Sequence, residues 1–267
     1  MKLKFTKMEG AGNDFVMIDV GAIHESPLQP ETIRKICDRR FGVGCDQLLV
    51  VAPSKKADFR MDIYNADGSQ VEMCGNGIRC LAKYVQDKKI SSKAKLDVET
   101  LAGIIKPEIL AEHPGNSHKT LWVKVDMGEP TVSGEMKVRK FTGTSVSMGN
   151  PHYVVFVDQV DNYPVWEYGR SIEADPRFPN RVNVEFIQVL SQKEFRMRVW
   201  ERGAGETHAC GTGACAAVVA SVLNKKTGRE VLVHLKGGNL EINWDEKTNH
   251  VLMTGPATTV FEGEIEI

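Results

Sequence analysis

The chain lacks most of the signatures that assign a function at sight. No CxxC pair occurs among its six cysteines, and no HxxxH accompanies them, so a structural zinc site is weakly supported. Neither GxxxxGK[ST] nor GxGxxG is present, which removes the usual phosphate-cradling and dinucleotide loops. Net charge is -1 without a long basic run, so neither nucleic acid nor an acidic membrane surface is favoured as a partner. The most apolar stretch, roughly Ala214 to Leu223, is too short to span a bilayer. Met1 to Phe15 is polar and Gly-rich, without the apolar core of a signal peptide. No segment is low-complexity. The expectation is a cytoplasmic globular protein with reduced thiols. With 267 residues, 42% of them hydrophobic, it is long enough for two domains of ordinary size.

What is present is a repeat. Cys74 lies in Met73-Cys74-Gly75-Asn76-Gly77, and Cys210, 136 residues later, lies in Ala209-Cys210-Gly211-Thr212-Gly213. Upstream, Phe59-Arg60-Met61 returns as Phe195-Arg196-Met197. Across residues 59–77 and 195–213, six of 19 positions are identical, where chance predicts about one. Lys4-Phe5-Thr6 matches Lys140-Phe141-Thr142, and Gly12-Asn13 matches Gly149-Asn150 with a slip of one residue. Gln47, before Leu48-Leu49-Val50-Val51, aligns with Asn183, before Val184-Glu185-Phe186-Ile187. A period this long means two domains rather than a solenoid array.

Phe59, Met61 and Ile63 alternate with more polar neighbours, as do Phe195, Met197 and Val199, which is strand periodicity. After Cys74, the residues Ile78, Leu81, Ala82 and Val85 share one helical face; after Cys210 the segment is apolar on nearly all sides and reads as a buried helix. Each half reads strand, Gly-containing loop, cysteine, helix. Further strands are expected at 3–8, 15–20, 46–52, 95–99, 103–110, 120–126, 152–157, 183–189, 230–235, 250–254 and 258–266, and helices at 30–39 and 165–174. The polar loop Glu112 to Lys119 is a candidate linker. The expected domains are 1–118, with the last strand 258–267 as a possible addition, and 119–267. In one arrangement each copy's last strand, 121–127 or 258–266, crosses into the other domain.

A free thiol has a pKa of ~8.5 and is little ionised at neutral pH. A helix N-terminus carries partial positive charge and unsatisfied N–H groups, and thiols so placed can fall to roughly 3.5–7.5. Cys74 and Cys210 both lie at or beside such an end. Gly75-Asn76 and Gly211-Thr212 can turn amides toward a shared anion, for which a substrate carboxylate is the natural candidate. One thiolate then removes an α-proton and the opposite thiol returns one, with the amides stabilising the charge that develops. No pyridoxal cofactor is needed. The other cysteines, Cys37, Cys45, Cys80 and Cys215, read as small buried hydrophobes.

Asn65-Ala66-Asp67-Gly68-Ser69, the two cysteine motifs, Gly149-Asn150-Pro151-His152, Glu201-Arg202-Gly203-Ala204-Gly205-Glu206-Thr207 and Gly10-Ala11-Gly12-Asn13-Asp14-Phe15 together resemble the diaminopimelate epimerase family over essentially the whole chain. The resemblance implies an α/β (α+β) fold of two homologous pseudo-symmetric domains. Each is a curved, mainly antiparallel sheet wrapped around a central helix, with the site in the cleft between them. It implies a cofactor-independent, metal-free enzyme that interconverts LL- and meso-2,6-diaminopimelate in lysine and peptidoglycan precursor synthesis, and a homodimer. Carried over residue by residue, it makes Cys74 and Cys210 the base and acid. Substrate binding falls to Asn13, Gln47, Asn65, Gly75, Asn76, Asn150, Asn183, Glu201, Arg202, Gly211 and Thr212. His152 and Glu201 are candidates to tune a cysteine. Arg202 suits bidentate grip on a distal carboxylate, and asparagine amides suit a zwitterion. The alternatives are a proline or hydroxyproline racemase of the same fold, a thiol redox protein closing Cys74 onto Cys210, and a binding module without catalysis.

Overall fold

The computed structural model describes residues 2–19 and 28–266. Within these the chain forms two compact units, one of residues 1–125 with 255–267 and one of residues 126–254. Val20, the last residue of the expected strand 15–20, lies outside the described residues.

The first unit runs β1 (Lys2–Gly10), β2 (Asn13–Asp19), α1 (Pro30–Cys37), β3 (Gln47–Ala52), β4 (Phe59–Asn65), β5 (Gln70–Val71), α2 (Gly75–Asp87), β6 (Val98–Thr100), β7 (Gly103–Ile105), β8 (Glu108–Ile109) and β9 (Thr120–Asp126). The second runs β10 (Thr131–Val138), β11 (Phe141–Ser147), β12 (Pro151–Phe156), α3 (Val165–Glu173), β13 (Asn183–Ser191), β14 (Glu194–Glu201), β15 (Gly205–Thr207), α4 (Gly211–Leu223), β16 (Glu230–Leu235) and β17 (Gly238–Trp244). The last strand, β18 (Val251–Glu266), pairs with β17 through Val251–Thr254, and from Thr258 onward it pairs with β1.

The sequence repeat is a repeat of topology. In the first unit β1 and β2 are antiparallel, β2 and β3 parallel across α1, β3 and β4 antiparallel, β4 and β6 parallel. In the second, β11 and β12 are antiparallel, β12 and β13 parallel across α3, β13 and β14 antiparallel, β14 and β16 parallel. Register repeats as well: Phe15 stands opposite Gln47, and His152 opposite Asn183. The fold is α+β and pseudo-symmetric, as expected.

Strands β3 and β13 are covered on both faces, so their apolar residues run continuously instead of alternating. Leu48 and Val50 join the core against α1 with Ile33 and Ile36. Val184 and Phe186 join the core against α3 with Val165 and Ile172. The intervening positions serve the other face, where α2 and α4 pack. Every α2 residue from Gly75 to Val85 is buried, and so is most of α4, including Val218 and Val219. The large apolar side chains among them, such as Ile78, Leu81, Val218 and Val219, each contribute about 1.5–3 kcal/mol. Both helices end alike, with Lys89 (φ 55°) and Lys225 (φ 56°) left-handed and the next amide bonded back to Val85 and Ser221.

Several expectations are corrected. The strand expected over 103–110 breaks at Pro107, which has no amide to donate, into β7 and β8. The strands expected at 250–254 and 258–266 are one, β18. Strands β10, β11 and β17 were not expected. The expected linker 112–119 is a turn inside the first unit: Asn116 accepts the Trp122 amide at 2.8 Å, and His113 stacks on the Trp122 ring at 4.1 Å. Thr120–Asp126, expected to open the second domain or cross into it, pairs with β8. The unit boundary therefore falls after Val125 and not after residue 118.

Candidate active site

Cys74 is the N-cap of α2, in extended conformation (φ -140°, ψ 111°). Its sulfur accepts the Gly77 amide at 3.4 Å, the place a serine or aspartate oxygen takes in an ordinary cap. The thiol donates to Asn13 Oδ1 at 3.7 Å, and Asn76 Nδ2 donates to the same oxygen at 3.3 Å. Gln47 Nε2 donates to Asn65 Oδ1 at 3.0 Å. The fold thus joins Asn13, Cys74 and Asn76 in one cluster and Gln47 with Asn65 in another. Asn76 Oδ1 and Gln47 Oε1 are buried acceptors without a hydrogen-bond partner among the described residues. Arg79, fully buried one turn into α2, donates to the Gly75 and Pro256 carbonyls and fixes the start of the helix.

Asn13 is held from behind by charge. Its Nδ2 donates to Asp46 Oδ2 at 2.8 Å. Arg39 bridges Asp46 (2.7 Å) and Asp14 (2.6 and 3.0 Å), and Lys7 reaches Asp14 at 2.5 Å. Burial pushes the Asp14 carboxyl up, but Arg39 and Lys7 together hold it well below the usual carboxylate range. A depressed folded-state pKa gives stability that is present above the unfolded value of ~3.9 and is lost as pH falls toward the folded one. Chemical denaturation between pH 7 and pH 2 is expected to show this loss below about pH 4. In Asp14→Asn the acid-dependent part shrinks; an unchanged pH profile contradicts the assignment.

The second unit repeats the cap. Cys210 is the N-cap of α4 (φ -125°, ψ 111°), and Gly213 donates its amide to the sulfur at 3.4 Å. Around it the chemistry differs. Thr212 Oγ1 lies 3.5 Å from the sulfur and accepts from Asn150 Nδ2 at 3.3 Å. Asn150 Oδ1 lies 3.0 Å from His152 Nε2, and His152 Nδ1 lies 2.7 Å from Glu185 Oε1. Thr207 donates to Glu201, and Asn183 Oδ1 accepts the Arg202 amide at 2.9 Å. The exposed Arg202 side chain donates to the Asn180 carbonyl.

A helix N-terminus alone predicts a lowered thiol pKa at Cys210. Instead, burial pushes this thiol well up, and the Glu201 and Glu185 carboxylates push the same way against the Thr212 hydroxyl and Gly213 amide. Burial also raises Glu201, with Thr207 pulling back, and it raises Glu185, with His152 pulling back. The dipole is overridden by desolvation and two acidic neighbours, so this half-site favours the thiol.

The expected residues fall into these clusters, but sequence reasoning missed Glu185, Asp46, Arg79 and Thr207. Glu185 had a signal: a lone acid inside the apolar run Val184–Ile187 of a strand covered on both faces. Cys37, Cys45, Cys80 and Cys215 are buried, as read.

The family model described as Diaminopimelate epimerase matches residues 5–133 and 144–260. The chain belongs to the diaminopimelate epimerase family. It is an isomerase of the epimerase type. The diaminopimelate epimerase of Agathobacter rectalis is 49% identical, covering 99% of this chain and 100% of that protein. That of Moorella thermoacetica is 48% identical over the same shares. Among solved structures, a phenazine biosynthesis protein of the PhzF family from Bacillus anthracis superposes with a TM-score of 0.76 at 18% identity, covering 100% of both chains. A hydroxyproline epimerase from Agrobacterium vitis gives a TM-score of 0.72 at 14% identity, covering 99% of this chain and 92% of that one. These two likenesses concern the fold. Among the described residues no helix is long and apolar enough to cross a membrane.

Proposed function

We propose that the chain interconverts LL- and meso-2,6-diaminopimelate without a cofactor, with Cys74 and Cys210 alternating as base and acid at one α-carbon. The reaction serves lysine and peptidoglycan precursor synthesis. The observation that carries this reading is one arrangement made twice: a cysteine capping a 13-residue helix, its sulfur accepting the amide three residues on at 3.4 Å. Relatives of 47–49% identity over the full chain, all bearing the name diaminopimelate epimerase, support the substrate.

The chemistry follows from the residues. Removal of the α-proton moves negative charge onto the adjacent carboxylate. First-turn amides of Gly75, Asn76, Gly211 and Thr212 have no partner within their helices and are suited to that charge. Asn76 Oδ1 and Gln47 Oε1 are buried acceptors open to an ammonium group. Arg202 suits the distal carboxylate, with Glu201, Asn13, Asn65, Asn150 and Asn183 completing recognition of the zwitterion.

Reduced protein without added cofactor is incubated with LL-diaminopimelate and, separately, with L-proline, and the isomers are resolved by chiral chromatography. Meso-diaminopimelate is expected and D-proline is not. Racemised proline, or diaminopimelate left unchanged by fully reduced protein, contradicts the reading.

A further inference from the structure

The two copies of the repeat differ behind their cysteines. By register, Phe15 of β2 occupies the place of His152 in β12, each opposite the first residue of the parallel strand. Two residues further along, Leu49 occupies the place of Glu185. Contacts repeat the equivalence. A Cβ built on Gly77 would meet Leu49 Cδ1 at 3.1 Å, and one on Gly213 would meet Glu185 Oε1 at 2.6 Å. One copy therefore backs its thiol with two apolar side chains. The other puts a fully buried imidazole and carboxyl there, an arrangement that costs solvation free energy, offset only by the hydrogen bonds these groups make.

The hydrogen-bond directions indicate the use. His152 Nδ1 faces Glu185 Oε1 (2.7 Å), and Nε2 faces Asn150 Oδ1 (3.0 Å). Both ring nitrogens meet acceptors. Nε2 therefore carries a hydrogen, and the proton between Nδ1 and Glu185 satisfies the other side. Glu185 Oε2 is buried without a hydrogen-bond partner among the described residues, as suits a carboxyl that shares a proton better than a free carboxylate. With Asn150 Oδ1 engaged by His152, its amide donates to Thr212 Oγ1 (3.3 Å). Thr212, already accepting, has its own hydrogen for Cys210 Sγ (3.5 Å). In the first copy a neighbouring side chain is an acceptor instead: Asn13 Oδ1 takes hydrogen bonds from both Cys74 and Asn76.

We infer that Glu185 is a positioning residue which, through the His152 tautomer, aligns Asn150 and Thr212 as hydrogen-bond donors toward the Cys210 sulfur. Cys210 is the thiol that burial, Glu201 and Glu185 keep protonated. A donor fixed on its sulfur lowers the cost of the thiolate each time the reaction leaves Cys210 without its proton. The titratable groups facing this sulfur are Glu201 from β14, Glu185 from β13 and, through Asn150, His152 from β12. The inference rests on the proposed epimerisation for its kinetic consequence, but not for its structural one.

Two measurements test it. The structural one uses 15N NMR of the full chain labelled at histidine, with His152 assigned by substitution. A protonated Nε2 is expected at neutral pH, and an unprotonated Nε2 overturns the inference whatever the substrate. The kinetic one is a double-mutant cycle on diaminopimelate epimerisation. Glu185→Leu, which installs the first copy's residue, is expected to lower kcat about tenfold or more with KM within about twofold. In a Thr212→Val background the same change is expected to cost less than about twofold, because its route to the sulfur is already cut. Equal losses in both backgrounds, or none in either, overturn the inference. If Glu185→Leu does not fold, His152→Phe with Glu185→Leu, the pair present in the first copy, takes its place in the cycle with the same expectations.

Discussion

Cys74→Ala and Cys210→Ala are each expected to abolish epimerisation while leaving the fold intact. In the proposed reaction each thiol works one face of the α-carbon, and a methyl group can neither remove nor supply a proton. Positioned acid–base catalysis contributes about 10²–10⁴-fold per group, so losing one thiol takes turnover to about one hundredth or less. The structural cost is small. The cap hydrogen bond to the sulfur is long, at 3.4 Å in both halves, and both helices are held by their buried length. Each substitution is expected to cost about 1 kcal/mol of stability. Chiral product analysis gives the activity, and circular dichroism with a denaturant midpoint confirms folding. Near-wild-type turnover in either folded variant contradicts the two-thiol mechanism.

Gly213→Ala is expected to be far more damaging than its repeat counterpart Gly77→Ala. Alanine favours a helix over glycine by about 0.8–1.0 kcal/mol, so propensity alone predicts that both changes stabilise. Space decides otherwise. At Gly213 the new methyl would lie 2.6 Å from Glu185 Oε1 and 3.2 Å from Cys210 Sγ. Glu185 is fully buried and tied to His152 at 2.7 Å, so it cannot simply move aside. At Gly77 the nearest atoms are the methyl ends of Leu49, at 3.1 and 3.3 Å, which shift by a small rotation. Overpacking at Gly213 is expected to cost about 1–3 kcal/mol. Displacement of the reacting sulfur is expected to lower kcat about a hundredfold. Gly77→Ala is expected to retain at least about tenfold more activity than Gly213→Ala. Parallel kcat and unfolding measurements on the two variants check this, and equal losses contradict the account of Glu185.

Much of this site was legible in the sequence because each copy of the duplication carries its motif in a short, dense segment. Both cysteines, the glycines after them and the helices they cap follow stretches of strand periodicity, which gives way to a 3.6-residue period after Cys74 and to a continuous apolar run after Cys210. Strands β10, β11 and β17 were not legible. Thr142, Gly143, Thr144 and Ser145 of β11 read locally as a loop, and only pairing with β10 and β12 makes them a strand. The unit boundary was misplaced for a related reason. Pro114-Gly115 marks a turn, but the stacking of His113 on Trp122 that ties this turn to β9 depends on tertiary packing. The helix-dipole argument gave the same expectation for both thiols. The acidic surroundings of Cys210 come from two different strands, β13 and β14, and become a cluster only on folding.

The central claim, that two thiols act from opposite sides of one carbon, is tested most directly by epimerising LL-diaminopimelate in D2O with reduced protein and no cofactor, following both isomers by NMR at early times. The account predicts that the meso product carries deuterium at one α-carbon from the first turnover, while recovered LL substrate stays protiated. Meso product that retains protium at the inverted carbon, or substrate that gains deuterium as fast as product forms, means that one base serves both faces and contradicts the account.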